Sequence, residues 1–396
     1  MRPSTLTDLF SSSLAIHAGR MAVSDDRGKL TYAELDAASN RVARALVARG
    51  VQPGDHVGIL LDRGVPVVAA MLGVIKAGAA YLSVDTAYPS ARRDLMLTHG
   101  GVRVVISDEA RSAELGGQAV VVWERDCAGG AADPVAQPSW PAGPACILYT
   151  SGSTGEPKGI VLDHRSLVGL ALNERLPRLG PDDRVGQISS ISFDGITLEV
   201  WAALAAGAGI VVLPNIVATL AADLRRTLRR QGVTMMLVPA TVLNHVAAVD
   251  RDAFSPLRQL CSGGDVLQPA TCRAFLSGAF QGAMYNLYGP TEITTAATRH
   301  RVVPEDGGAA SVPLGTPLEG YEVHLLDAEM RAVPAGSAGE IHVGGIGLAT
   351  GYLGRPDLTA ARFRPDPLGP PGGRLYATGD MGRATADGEL EYLGRF

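Results

Sequence analysis

The residues best equipped for chemistry lie in one stretch, Tyr149-Thr150-Ser151-Gly152-Ser153-Thr154-Gly155-Glu156-Pro157-Lys158-Gly159. The apolar run Cys146-Ile147-Leu148-Tyr149 leads into it and reads as a buried strand. A loop of such small residues lets backbone N–H groups approach an anion closely, and its hydroxyls add donors. Lys158 adds a compact positive charge. Together these make a phosphate cradle. The spacing is not that of the P-loop G-x-x-x-x-G-K-[ST], because Gly159 follows Lys158. A flexible Gly/Ser linker is the bland alternative, and it fits poorly with a loop that follows an apolar strand and closes on Pro-Lys-Gly.

Three further groups carry oxygen or aromatic chemistry: Phe193-Asp194, Asn286-Leu287-Tyr288-Gly289-Pro290-Thr291-Glu292 and Tyr376-Ala377-Thr378-Gly379-Asp380. Each has a bland reading too. Asp194 suits a helix N-cap. Gly289-Pro290 is a common turn pair, and Asp380 after Gly379 suits a turn. Tyr392, alternating with Leu390, fits one face of a strand. Glu199 and Trp201 read as packing or helix-surface residues rather than ligands.

Composition bounds the rest. A chain of 396 residues is too long for one simple core and implies two or three packed subdomains. A net charge of -5 gives no basic footprint for nucleic acid. No apolar run approaches membrane-spanning length, and the N-terminal residues lack a signal peptide's apolar core. Cys127, Cys146, Cys261 and Cys272 form no C-x-x-C pair, so free thiols in a cytoplasmic protein are expected and a zinc site is not. The only lysines are Lys29, Lys76 and Lys158, which leaves Lys158 alone in a plausible site.

The elements that must position these groups alternate. Thr31 and Glu34 have capping-box spacing, and Leu35, Val42 and Leu46 follow at helical intervals until Gly50. Strands are predicted at 57–61, 81–84, 102–106, 185–188, 209–213, 235–238 and 258–261, with helices over 66–76 and 221–230. This predicts an α/β chain with a largely parallel sheet. From Val302 onward, short strands such as 322–326 and 340–343 alternate with Gly/Pro turns and predict a small β-barrel or distorted sheet.

Read in order, these stretches resemble the core motifs of nonribosomal peptide synthetase adenylation domains, within the adenylate-forming superfamily. The motifs are Leu30-Thr31-Tyr32-Ala33-Glu34-Leu35, Ile75-Lys76-Ala77-Gly78-Ala79-Ala80-Tyr81-Leu82, the phosphate loop, Phe193-Asp194 and Asn286–Glu292. Gly339-Glu340-Ile341-His342-Val343-Gly344-Gly345, Gly351-Tyr352-Leu353, Tyr376–Asp380 and the final Gly394-Arg395 follow in the same order. The resemblance covers essentially the whole chain. It implies the large N-terminal core of that fold: two stacked, mainly parallel α/β subdomains, roughly 1–180 and 181–300, and a β-barrel-like subdomain over 301–396.

The family's reaction has two steps. A carboxylate attacks the α-phosphate of ATP, giving an acyl-adenylate and pyrophosphate, and the acyl group then passes to a phosphopantetheine thiol on a carrier domain. The resemblance implies that Thr150, Ser151, Ser153, Thr154 and Lys158 hold the β/γ-phosphates. It implies Glu292 as the Mg²⁺ ligand and Thr291 at the α-phosphate. Tyr288 would stack on adenine, Asn286 would bond its exocyclic amine, and Asp380 would accept from ribose with help from Arg395. Tyr392, Gly152, Gly155, Gly264 and Gly289 complete the nucleotide-contacting set, and Lys158, Thr291 and Glu292 are the catalytic group.

Asp194 stands where amino-acid-activating members of the family pair an aspartate with the substrate's ammonium. The side-chain pocket falls on Gly195, Leu198, Thr241, Cys261, Gly263, Leu287, Thr295 and Ala296. None is charged, so a neutral amino acid is expected, and Gly195 and Gly263 are read as making room. A peptidyl carrier protein domain is the implied partner, and the need for an MbtH-like accessory protein stays open. The rivals are an acyl- or aryl-CoA ligase of the same superfamily, a stand-alone enzyme activating a β-amino acid, and a non-catalytic ATP-binding module.

Two positions depart from the family. Thr350 stands where it usually has Arg, and Ala377 where it has Arg or Lys, both changes expected to affect subdomain contacts rather than chemistry. The family also continues past Gly394-Arg395 into a small C-terminal domain whose lysine contacts carboxylate and phosphate. The expectation is therefore an engineered or excised core of a longer protein, one that binds its substrates but adenylates poorly.

Overall fold

Thr31 starts the first long helix as its spacing predicts. Its hydroxyl accepts from the Glu34 N–H while the Glu34 carboxylate accepts from the Thr31 N–H, capping helix Tyr32–Ala48 at both partners. Gly50, at φ +81°, closes it in the left-handed region. A second reciprocal cap, Thr5 with Asp8, opens a helix at Leu6–His17 that the sequence reading did not find.

The computed structural model describes residues 3–135, 137–151, 157–214 and 221–395, leaving aside the side chains of Ser151, Ala221 and Ala222. Among these, three sheets form. In the first, the order is Gly351–Tyr352, Pro157–Asp163, Pro144–Ser151, Ala80–Ser83, His56–Leu60, Val104–Ser107 and Ala119–Val122. Its last five strands are parallel, and Pro157–Asp163 is antiparallel to Pro144–Ser151.

The second sheet runs from Thr316–Pro317 through Thr298–Arg301, Ala283–Tyr288, Gln259–Gly263, Met235–Pro239, Arg184–Gln187 and Gly209–Val212 to Met21–Ser24 and Lys29–Thr31. Its centre is parallel and its edges antiparallel. The third is wholly antiparallel: Tyr321–Leu326, Ala338–Gly345, Arg374–Ala384 and Phe363–Pro365, with Leu390–Arg395 also paired to Arg374–Ala384.

The α/β class with two mainly parallel sheets and a curled antiparallel one is therefore as expected. The sheets nevertheless interleave across the consecutive division 1–180, 181–300 and 301–396. Met21–Thr31 belongs to the second sheet, and Gly351–Tyr352 closes an edge of the first. Short-range patterns carry no information about which sheet an edge strand joins.

Helix Val65–Lys76 is apolar on every face and buried from Val67 to Ile75. One continuous core spans it, helix Tyr32–Ala48 and the turn around Trp201, whose Nε1 donates to Tyr81 Oη at 3.0 Å. No helix among the described residues is long and apolar enough to cross a membrane.

Candidate active site

The phosphate-loop segment is a hairpin. Thr150 pairs with Lys158 and Ser151 with Pro157, so Lys158 belongs to a strand rather than to the loop's end. Gly152, Ser153, Thr154 and Gly155 lie outside the described residues. On the other side of Lys158, Tyr352 pairs with Ile160, and the Lys158 Nζ stands 5.9 Å from the Tyr352 ring centroid.

Beside this hairpin lies the turn that ends strand Ala283–Tyr288. An added Cβ at Gly289 would meet Ala296 Cα at 2.7 Å, so only glycine fits this approach. Thr294 and Thr295 then take φ of 60° and 70°, uncommon for residues with a β-branched side chain. Thr294 Oγ1 donates to Gly347 O at 2.8 Å, and Ala349 N donates to Glu292 O at 2.8 Å, tying the turn to the third sheet's loop.

Three of the candidate side chains, Asp194, Thr291 and Glu292, converge here. Thr291 Oγ1 donates to Asp194 Oδ2 at 2.6 Å. Tyr352 Oη donates to Glu292 Oε1 at 2.7 Å and lies 3.3 Å from Tyr376 Oη. Burial holds the Asp194 carboxyl above its ordinary range; the Thr291 hydrogen bond opposes this and the Glu292 charge adds to it. Asp194 precedes helix Gly195–Thr197 but its carboxyl makes no capping hydrogen bond, so the N-cap reading does not account for it. Its carbonyl instead accepts from Thr197 Oγ1 and Thr295 Oγ1.

Glu292 is 8% exposed and its carboxylate is met by a hydroxyl donor, not by a basic side chain, among the described residues. Such an oxygen donor suits a hard cation bridging phosphates.

A second cluster faces the third sheet. Tyr288 Oη donates to Asp380 Oδ2 at 2.8 Å, and Arg395 Nε lies 3.5 Å from Asp380 Oδ1. Burial raises the Asp380 carboxyl, opposed by the Tyr288 bond and the Arg395 charge. Asn286 Nδ2 donates to Pro313 O at 2.8 Å, which fixes the amide and leaves its oxygen as an acceptor. Tyr392, half-buried, sits across from Gly382, close enough to Asp380 and Arg395 for both charges to act on its phenol. Gly264 is exposed at φ +79° with open space around it.

The residues expected to line a side-chain pocket differ in setting. Leu198, Cys261, Leu287 and Ala296 are buried, Gly195 is buried too, Thr295 is half-buried and Thr241 is exposed. The two glycines need a correction. A Cβ at Gly195 would meet Ser189 Oγ at 2.7 Å, and one at Gly263 would meet Leu287 O at 2.9 Å. The protein's own atoms occupy those approaches, so the missing side chains do not by themselves open space for a substrate.

The AMP-binding enzyme family's pattern matches residues 10–353. The chain belongs to that family. Surfactin synthase subunit 2 of Bacillus subtilis (strain 168) is 39% identical over 370 residues, covering 93% of this chain but 10% of that protein. The nonribosomal peptide synthetase FmoA3 in its α-methyl-L-serine-AMP bound form superposes with a TM-score of 0.92 at 30% identity, over 99% of this chain and 45% of that one. The holo-PA1221 structure, an NRPS protein containing adenylation and PCP domains bound to a vinylsulfonamide inhibitor, gives a TM-score of 0.91 at 30% identity, over 99% and 68%. The AMP-binding chain thus spans about a tenth of the curated relative.

Within this AMP-binding domain two residues make contacts at Glu292 that the motifs alone do not assign. Tyr352 was seen in the Gly351-Tyr352-Leu353 motif but given no role, although it orients Glu292. Tyr376 stands behind it. Glu199, read as packing or surface, is fully buried and collects donors from Gln187, Ile188 and Ser189. A carboxylate in an otherwise apolar run, Leu198-Glu199-Val200-Trp201, was the available signal.

Proposed function

We propose that this chain is the amino-acid-activating adenylation domain of a nonribosomal peptide synthetase. It joins a neutral amino acid to ATP as the aminoacyl-AMP, with release of pyrophosphate, for transfer to the phosphopantetheine thiol of a peptidyl carrier domain. The observation that carries this reading is the Asp194–Thr291–Glu292 cluster. It sets a carboxylate fit for an ammonium beside a hydroxyl fit for the α-phosphate and a carboxylate fit for Mg²⁺. FmoA3, bound to α-methyl-L-serine-AMP, supports an amino acid substrate, and the adenylation–PCP pairing in PA1221 supports the carrier partner.

In this reading Lys158 and the loop hydroxyls bind the β/γ-phosphates, where charge grows as pyrophosphate leaves. Glu292, held by Tyr352, would hold the magnesium ion, which when bound neutralises phosphate charge. Tyr288 and Asn286 receive the adenine, and Asp380 with Arg395 receives the ribose. The uncharged pocket residues disfavour a charged substrate side chain. Lys76 is held by Asp36 and Asn40, and Lys29 lies on an edge strand of the second sheet, which leaves Lys158 as the lysine of this chain for the phosphates.

The test is ATP–pyrophosphate exchange by the full-length protein across amino, aryl and fatty acids. The expected result is exchange with one neutral amino acid, abolished in Asp194→Ala. Exchange confined to acids without an amine would make Asp194 structural and overturn the reading.

A further inference from the structure

Glu199 is 0% exposed and, among the described residues, pairs with no basic side chain. A carboxylate buried without a cation is costly unless hydrogen bonds replace water, and here they do so from one direction only. Oε2 accepts from Gln187 Nε2 at 2.9 Å, and Oε1 accepts from Ile188 N at 3.2 Å, Ser189 N at 3.2 Å and Ser189 Oγ at 3.0 Å. Burial still pushes the carboxyl up to about 7 against these bonds. All the donors belong to residues 187–189, where the chain leaves strand Arg184–Gln187. Glu199 itself sits in the π-helical turn Leu198–Ala202, a form that recurs at functional sites.

Residues 188–193 are the connection that delivers Asp194. Its far end is already fastened. Ser190 Oγ donates to Asp85, and Ser192 Oγ donates to Ser83 O at 2.9 Å while accepting from Asp85 N at 2.9 Å. Glu199 fastens the near end. Between the two, Ser189 Oγ lies against Gly195, at 2.7 Å from where a Cβ would stand, directly after Asp194.

We infer that Glu199 is the positioning residue for the Asp194 carboxylate, acting through Ser189 and Gly195 to set its aim at the substrate's ammonium. This rests on the amine-site reading of Asp194. Glu199 touches neither substrate nor nucleotide in this arrangement. Its removal therefore loosens recognition of the amine and leaves the ATP contacts in place.

The test compares Glu199→Gln with wild type in the full-length protein, using exchange with the cognate amino acid and with its des-amino analogue. Gln keeps the size but turns an NH₂ toward donors. We expect the amino acid KM to rise about tenfold, the ATP KM to stay within about twofold, and the preference for the amine-bearing acid to fall about tenfold. Ser189→Ala, which keeps the buried carboxylate, should shift the same ratio in the same direction by less. A wild-type preference left intact by both variants, or losses for both acids and ATP that track the folded fraction, would overturn the inference. Equal use of both acids by wild type would instead overturn the amine reading of Asp194, and this inference with it.

Discussion

Thr291 Oγ1 donates to Asp194 Oδ2 across 2.6 Å, so the groups proposed for the α-phosphate and the ammonium are hydrogen-bonded to each other. A nucleotide that draws the hydroxyl away frees the carboxylate for the amine. The two ligands should then bind with positive coupling, equal in both directions. One hydrogen bond to a charged group amounts to roughly 1.5–3 kcal/mol, or about tenfold or more in affinity. Calorimetric titration of the amino acid with and without a non-hydrolysable ATP analogue should show this gain, and Thr291→Val should abolish it. Equal affinities in wild type would refute the coupling.

Tyr352 orients Glu292 through a 2.7 Å bond. Outer-sphere partners of this kind typically contribute 10–100-fold in metal affinity. Tyr352→Phe should raise the half-saturating magnesium concentration in exchange assays about tenfold, with the amino acid KM little changed. An unaltered magnesium dependence would count against Glu292 as the cation's ligand.

At Gly263 the nearest obstacle to a side chain is backbone, Leu287 O at 2.9 Å. Gly263→Ala should therefore cost about 1–3 kcal/mol of stability through overpacking, seen as a lowered melting temperature. A smaller amino acid should not rescue its activity. If a smaller substrate does restore full activity at unchanged stability, the glycine makes room for substrate after all.

His164 gives the fold a pH dependence. Its buried Nδ1 accepts from Leu6 N at 3.2 Å, which requires the unprotonated ring. Burial lowers its pKa from 6.5 to about 4, with the Asp8 charge opposing. A depressed histidine stabilises the fold above its unfolded pKa, and that contribution is lost as pH falls from about 6.5 toward about 4. Melting temperature should fall by a few degrees more over this range in wild type than in His164→Asn, whose amide oxygen keeps the acceptor without titrating. Parallel curves for the two proteins would exclude this role.

Much of the fold was legible because its signals are local. Apolar runs marked the strands at His56–Leu60 and Met235–Pro239 to within a residue or two, since hydropathy records burial while the ladder sets the ends. The Thr31–Glu34 cap was readable from spacing alone. Motif order singles out Lys158, Asp194, Glu292 and Asp380 as candidate site residues. Their partners were not. Thr291 meets Asp194, and Tyr352 meets Glu292, across long stretches of chain, and only tertiary packing brings them together. Lys158 was read as the end of a loop because Pro-Lys-Gly masks a strand, whose pairing with Thr150 depends on the opposite ladder. The sequence leaves Glu199 open between packing and helix surface, and only the fold shows that it faces inward.

The interleaved sheets bear on how the molecule comes into being. Val23 lies in register with Ile210, and Tyr352 with Ile160. During synthesis the segment around residues 21–31 must wait, its edge unpaired, until residues near 209–212 have emerged. Cutting the chain near residue 180 should not give two autonomous halves, because each would lack strands held by the other. Such long-range closure slows folding and exposes unpaired edges on the way, so this protein should depend more on assisted folding than its ordinary composition suggests.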